Sequence, residues 1–223
     1  MEKAKLPAFE GFPKQMPTFL WDLALNNERP WFQAHKQDYE QYLHQPFLAL
    51  AEDIKQKMEE AFPGLAPSMH ISRIYRDARR LYGRGPYNDH LWFSLGLSGE
   101  IYTSLPQFWF GINAKSWDAG MGMWNMSGDQ LERWRKSIDD HPQRLSKIVR
   151  ALSKREDLAP YWQTYKRPKG DPGKLLYDWY NARTVGLEKV VWFDPDPPGP
   201  ALIDQLMDIF AALVPLYQYL ARL

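Results

Sequence analysis

Apolar residues recur along this chain with two different periods, and the switch between them divides it. From Thr18, the positions Phe19, Leu20, Leu23 and Leu25 suit a short helix that stops at Asn26-Asn27, a pair fitted to C-capping and turns. Trp31, Phe32, His35, Tyr39, Tyr42 and Leu43 then recur at spacings of three and four, which predicts a second helix from about Arg29-Pro30 with these residues on one stripe. Pro46 opens a third helix to about Phe62, with Phe47, Leu50, Ile54 and Met58 as its buried face. After Pro63-Gly64 the period shortens to two. The segments His70 to Arg76, Leu91 to Leu97, Gln107 to Asn113 and Asp118 to Trp124 are short, aromatic-rich and alternating, and predict strands. Gly83-Arg84-Gly85-Pro86, Leu97-Ser98-Gly99-Glu100 and Asn113-Ala114-Lys115-Ser116 supply turns between them, so neighbouring strands pair antiparallel.

Helical spacing then returns. Ser127-Gly128-Asp129 caps a helix running through Leu131, Trp134 and Ile138 to His141, and Pro142 starts another to about Lys154. Residues 155–184 are mixed, with Lys166-Arg167-Pro168-Lys169-Gly170 opening an exposed loop. Val185 to Phe193 reads as a last strand. The proline-rich run from Asp194 to Pro200 excludes helix and central strand, and it leads into a closing helix striped by Leu202, Leu206, Ile209, Phe210, Leu213 and Leu216. The pattern predicts an α+β fold, a mainly antiparallel sheet of about five strands packed with N-terminal and C-terminal helices. Residues 1–16, broken by Pro7 and Pro13, form an arm on the surface, and residues 17–223 form a single domain.

Composition narrows the function classes. The 223 residues are 44% hydrophobic and 15% aromatic, enough for a sizeable core. With Lys and Arg at 28 against 27 acids, no whole-molecule field recruits nucleic acid or anionic lipid, so any such attraction comes from a patch. The absence of cysteine excludes disulfides, thiolate catalysis, iron–sulfur clusters and Cys-based zinc sites. The N-terminus lacks a signal-like apolar core, and Ile209 to Leu220 is too short to cross a bilayer, which makes a cytoplasmic location without membrane contact the expectation.

One stretch breaks the charge balance. Arg73 to Tyr87 sets five arginines against the single acid Asp77. A guanidinium is a planar fork suited to two-point contact with carboxylate or phosphate, so the run reads first as a place for an anion. If 70–76 is a strand, Ser72, Ile74 and Arg76 share one face and Ile71, Arg73 and Tyr75 the other, so Arg73 and Arg76 diverge. Arg76, Arg79, Arg80 and Arg84 lie at the strand end and in the glycine-flanked loop beyond, with Asp77 placed to orient one guanidinium. The alternative is structural, with Arg73 and Arg76 paired to acids such as Glu52, Asp53, Glu59 or Glu60 and the rest a solvated loop.

His35, between Trp31 and Tyr39 on the aromatic stripe, is the acid–base candidate, with a packed core histidine as the alternative. His70 and His90 flank the arginine segment and would approach each other across paired strands, but metalloprotease-type spacing is absent and no metal or cofactor is implied. Gly120 and Gly122 leave one sheet face bare, open to a packed helix or a ligand. No nucleophile elbow, Walker loop or dinucleotide fingerprint occurs.

The set Asn26-Asn27-x-Arg29-x-Trp31-Phe32-x-x-His35-Lys36-x-x-Tyr39, then Pro46-Phe47, Arg73-Ile74-Tyr75-Arg76-Asp77-x-Arg79, Pro86-Tyr87 and His90 resembles the family called domain of unknown function 2461. With Leu213-x-Pro215-Leu216 near the end, the resemblance spans about residues 17–220. It implies one domain and carries no established activity. Two lysine positions of the family stand here as Tyr82 and Asn88, and a third as Arg84, whereas Arg73, Arg76, Asp77, Arg79 and Tyr87 match its pattern.

The leading expectation is binding of an anionic small molecule or nucleotide. Arg73, Arg76, Asp77, Arg79 and Arg84 would form the polar wall, Trp31 and Tyr87 the stacking or apolar wall, and His35 would turn binding into catalysis of an unspecified reaction. Two alternatives stay open. One is nucleic-acid binding by the Arg/Tyr segment 73–87, and the other is a purely structural Arg–acid network with a partner-binding role.

Overall fold

The computed structural model describes residues 7–65, 67–96, 105–193 and 196–223. Helices α1 (Met16–Leu25), α2 (Arg29–Ala34) and α3 (Lys36–Asp38) lead through a π-helical turn, Tyr39–His44, into α4 (Gln45–Ala61). Strand β1 (Ser68–Ile71), a short 3-10 turn (Ala78–Arg80), β2 (His90–Gly96), β3 (Gln107–Asn113) and β4 (Ser116–Met123) follow. Then come α5 (Gly128–Asp140), α6 (Pro142–Leu152), β5 (Ala159–Pro160), α7 (Tyr177–Tyr180), β6 (Val185–Trp192) and α8 (Leu202–Leu220). The six strands form one antiparallel sheet in the order β1-β2-β3-β4-β6-β5. The fold is α+β as the periodicity indicates, with six strands rather than about five, because the two-residue β5 pairs with β6 at the sheet edge. Its Pro160 is tolerated there since an edge strand needs fewer ladder donors.

Strand parity sorts the sheet into two unlike faces. Leu91, Phe93 and Leu95 of β2, Phe108, Phe110 and Ile112 of β3, and Trp117, Ala119, Met121 and Met123 of β4 are all buried on one face. Helices α4 and α8 pack there: Phe47 meets Phe93 and Phe110 at 5.7 and 6.0 Å between ring centroids, and Phe108 stacks on Tyr217 at 4.8 Å. Burial of these aromatic and aliphatic side chains, each worth about 1.5–3 kcal/mol, supplies the main drive for folding. Ser127 caps α5 in a full capping box with Gln130, and Pro142 stands at the start of α6. Among the described residues no helix is long and apolar enough to cross a membrane.

The aromatic stripe of the second predicted helix does not survive as one helix. His35 leaves helical geometry (φ −109°, ψ 20°), and the π-helical turn follows within a few residues. Around the break Phe32, Tyr39 and Leu43 are buried while Trp31 and Tyr42 pack at the margin. Within residues 7–16 the chain is anchored at two phenylalanines. Phe9 and Phe12 enter the core, with the Phe9 amide donating to Asp53 Oδ2 (2.8 Å) and the Phe12 amide to the Pro198 carbonyl (3.0 Å).

An ion network ties the segment after α6 to the sheet and to α8. Arg155 donates to both oxygens of Asp157 (2.8 and 3.0 Å) and to Asp208 (2.7 Å), while Lys189 of β6 reaches Asp157 at 3.0 Å. The hydrogen bonds from Arg155, then that from Lys189, hold the Asp157 carboxyl far below the ordinary carboxylate range despite partial burial. A depressed folded-state pKa gives stability that is present above the unfolded value of about 4 and lost as pH falls below it. Asp157→Asn is therefore expected to lower stability by about 1 kcal/mol at pH 7, a modest figure because the pair is partly solvated. Chemical denaturation across pH 2–7 checks this: the gap between variant and wild type should close below about pH 4.

Candidate functional site

The second sheet face is the polar one. Cross-strand register places His70, Ser94, Trp109, Gly120 and Glu188 in one row, and Trp92, Gly111, Asp118 and Val190 in the next. His90 lies opposite Asn113, one row further on. The side chains around this grid line a cleft of about 480 Å³, bounded by Trp92, Trp109, Trp124 and Tyr161 and carrying His90, Ser94, Asp118 and Glu188. That volume falls in the range of small-molecule sites, as does the mixture of aromatic wall and few polar groups.

Glycines shape the floor. Trp109 leans across β4 onto Gly120, where a Cβ would come 2.7 Å from the indole and overlap the Leu187 carbonyl oxygen. The bare patch at Gly120 is thus filled by an indole from the neighbouring strand. At Gly111 a Cβ would meet Asp118 Oδ1 at 3.0 Å, so the missing side chain leaves the carboxylate room. Trp109 is held by Trp124 (centroids 5.0 Å, edge-on) and Tyr161 (5.8 Å), while Trp92 turns the other way, toward His70 (5.2 Å). The two indoles diverge and leave the strip over Gly111 between them.

Two carboxyls face this strip. Asp118 accepts the Trp109 Nε1–H at 2.8 Å. Burial pushes its pKa up, while the indole donor and His90 pull it down by less. Glu188 is also raised, by burial and then by the negative charge of Asp118. Ser94 Oγ is buried with no hydrogen-bond partner among the described residues. A buried hydroxyl without a partner is unusual enough to call for one.

The arginine segment lies on the shoulder of this cleft. Strand β1 ends where the Ser72 hydroxyl, in place of a backbone carbonyl, accepts the Trp92 amide (2.8 Å). The chain then re-pairs as a single bridge, Tyr75 with Tyr87, framed by bonds from the Arg76 amide to Pro86 O (2.8 Å) and the Asn88 amide to Ile74 O (2.7 Å). Asn27 fastens the bridge to the helical layer, donating to Tyr87 O (3.0 Å) and accepting the Tyr87 amide (2.9 Å). Gly85 is required beside it, since a Cβ there would overlap the Asn27 side chain. Asn27 and the Pro86-Tyr87 pair thus form one structural clasp.

The predicted site residues divide into three places. Arg73, Arg76, Asp77 and Arg84 line a shallow depression of about 420 Å³ that shares Trp92 with the cleft. Within it Arg76 is largely buried, donating to Asn88 Oδ1 (3.1 Å) and lying 3.7 Å from Asp89, rather than reaching the acids of α4. Arg79 is the guanidinium that Asp77 orients, through Nε (3.0 Å) and Nη2 (2.8 Å), and it stands in solvent. Arg84 Nε donates to the Leu81 carbonyl at 3.4 Å. Tyr87 is inside the core, stacked on Phe32 at 4.1 Å. Trp31 and His35 stack on each other at 4.1 Å and line a separate depression beside α1, with His35 Nδ1 2.8 Å from the Trp31 carbonyl. His70 and His90 share the cleft face but lie in different rows, with Trp92 between them, and no group of three metal-ligating side chains occurs among the described residues.

Asp118, Glu188, Trp92, Trp109, Trp124, Tyr161 and Ser94 are additions that reasoning on the arginine run did not reach. The signal was strand parity: His90-x-Trp92-x-Ser94, Trp109-x-Gly111-x-Asn113 and Asp118-x-Gly120 each alternate polar, aromatic or glycine positions against an apolar face. The family model described as conserved hypothetical protein (DUF2461) matches residues 15–219. No curated protein matches the chain. Among solved structures, an uncharacterized protein from Methanothermobacter thermautotrophicus is similar at 11% identity and a TM-score of 0.36, over 78% of this chain and 97% of that one.

Proposed function

We propose that this protein, which belongs to the conserved hypothetical protein family DUF2461, binds a phosphorylated, amino-bearing planar small molecule of the nucleotide kind across the polar face of its sheet. The observation that carries the reading is the continuity of two unlike surfaces through Trp92: an aromatic cleft with two carboxyls on one side, an arginine shoulder on the other. A planar heterocycle gains stacking on indole, and amino groups on its edge donate to Asp118 and Glu188. An anion alone would be repelled by those carboxyls and fits the shoulder, where Arg73 and Arg84 supply cations. Strands lie about 4.8 Å apart, so Trp109 on β3 is roughly 10 Å from the β1 edge, the span of a base with its phosphate.

Calorimetric titration of a panel of nucleoside monophosphates and their nucleosides tests this. Monophosphates should bind more tightly than nucleosides, Arg73→Gln with Arg84→Gln should erase that difference, and Glu188→Gln should weaken both by about tenfold or more, as expected for a lost charged hydrogen bond. Silence across the panel would exclude the reading. Glu188→Gln carries a second signature. A carboxyl raised by burial adds stability below its unfolded pKa and loses it as pH rises through the folded value, so the variant should be more stable than wild type at pH 7 and not at pH 4.

A second reading is favoured by Tyr75 and Tyr82, exposed at 52% and 84% beside the arginines, which offer stacking faces to single-stranded nucleic acid. It predicts oligonucleotide affinity that falls steeply with salt, in contrast to a small ligand held mainly by the cleft.

A further inference from the structure

Away from the cleft, three cations gather on one tyrosine. Lys169 Nζ lies 4.7 Å, Arg183 Cζ 5.7 Å and Arg135 Cζ 5.9 Å from the centroid of the Tyr165 ring, each over the ring. They come from three different parts of the chain: α5, the basic loop after Tyr165, and the turn before β6. A ring has two faces, so at least two of the three cations share one.

The arrangement is built rather than loose. The Tyr165 amide donates to the Asn181 carbonyl (3.0 Å) and the Arg183 amide to the Gln163 carbonyl (2.6 Å), clamping the two segments antiparallel around the Thr164–Ala182 bridge. Buried Asn181 fixes the loop that carries Lys169, accepting the Lys169 amide at 2.6 Å and donating to Gly170 O at 3.1 Å. Gly170 is pressed on Tyr180, where a Cβ would approach the ring to 2.7 Å. Arg135 projects from the helix turn anchored by Trp134, which is fully buried and donates to the Trp179 carbonyl (2.9 Å).

What the cluster lacks is a paired anion: Asp139, one helical turn from Arg135, accepts the Tyr180 hydroxyl instead (3.1 Å). None of the three cations takes part in an ion pair among the described residues, although the protein pairs Arg76, Arg79 and Arg155 elsewhere. Arg135 Nη1 is buried with no acceptor among the described residues. The ring quadrupole offsets part of the repulsion between neighbouring cations, but it offers no lone pair to a guanidinium N–H. A buried donor without an acceptor is a cost that folding proteins avoid.

We propose that Arg135, Lys169 and Arg183 form a phosphate-binding site around Tyr165, independent of the sheet-face cleft. A guanidinium fork and an ammonium match the geometry by which phosphate oxygens are held, and a dianion there would satisfy Arg135 Nη1 and relieve the repulsion together. The same chemistry could come from a free phosphate monoester or from a nucleic-acid backbone. The experiment separates these sources.

Thermal unfolding is followed with inorganic phosphate, and with a single-stranded oligonucleotide, each at constant ionic strength set by chloride. Phosphate should raise the melting temperature of the wild type; the rise should fall in Lys169→Gln with Arg183→Gln to whatever the Arg73 and Arg84 shoulder contributes, should persist in Arg73→Gln with Arg84→Gln, and should vanish when all four changes are combined. If the oligonucleotide stabilises the wild type as well, through the same lysine and arginine, the site also accepts the backbone phosphate. No rise with phosphate, a rise undiminished by the Lys169 and Arg183 changes, or stabilisation by the oligonucleotide alone would overturn the proposal. The paired variant at Arg73 and Arg84 keeps the outcome distinct from failure of the cleft reading.

Discussion

Trp109→Ala is expected to lower stability by about 3–5 kcal/mol, the range for deleting a large buried aromatic side chain. The indole is 8% exposed, covers Gly120, packs on Trp124 and Tyr161 and donates to Asp118, so its loss opens the cleft wall and strips a carboxylate of a donor at once. Trp109→Phe separates these roles. It keeps a ring over Gly120 and removes the N–H, and it should cost about 1–3 kcal/mol, the scale of a hydrogen bond to a charged group. Losing that donor lets the Asp118 carboxyl, already raised by burial, rise further. Protonation relieves the strain, so the charge-dependent part of the deficit is present at pH 7 and fades as pH falls below the folded-state pKa. Urea denaturation of both variants at pH 7 and pH 4 measures it, and a deficit in Trp109→Phe that grows toward acid would contradict this account of the pair.

Gly120→Ala is the second large effect, expected to cost about 3 kcal/mol, the upper part of the usual range for overpacking. The added methyl would overlap the Leu187 carbonyl oxygen and reach 2.7 Å from the Trp109 ring. A side chain can swing aside, whereas a carbonyl engaged in the β4–β6 ladder cannot move without parting the strands. Shrinking Trp109 should therefore not rescue the variant. Gly83 (φ +79°) provides the control: a Cβ there meets nothing within 4 Å, so Gly83→Ala should show only the smaller cost of its left-handed backbone. Denaturant midpoints of the two alanine variants, measured side by side, test the distinction.

Much of the fold is legible because local chemistry marks its boundaries. Gln107–Asn113 is a strand with the bounds that alternation indicates, Ser127 caps α5, and Pro142 begins α6. The stripe from Leu202 to Leu216 is the buried face of α8. Legibility fails where a side chain substitutes for backbone. The strand expected to run from His70 to Arg76 stops at Ile71 because the Ser72 hydroxyl takes over a ladder acceptor, and alternation cannot register that exchange. β5 is too short for any period to appear. The turn expected at Leu97-Ser98-Gly99-Glu100 lies outside the described residues.

The candidate site was half legible for a related reason. Composition draws attention to arginine density, and the arginine segment does border the cleft, but two of its five charges are spent locally: Arg79 on Asp77, Arg76 on Asn88 and Asp89. Asp118 and Glu188 carry no local signature beyond the parity of their strands. Each is an ordinary acid in a strand until antiparallel register sets them on one face, one rung apart across β4 and β6. Register is a tertiary fact, fixed by which apolar face meets α4 and α8, and single-strand periodicity does not contain it.

The most direct measurement is a crystal structure of the protein grown with a saturating purine nucleoside monophosphate. The base should lie over Gly111, against Trp92 and Trp109, with its amino edge within hydrogen-bond distance of Asp118 or Glu188 and its phosphate beside Arg73 and Arg84. A cleft left empty at saturation, or a nucleotide seated instead in the depression at Trp31 and His35, would contradict it.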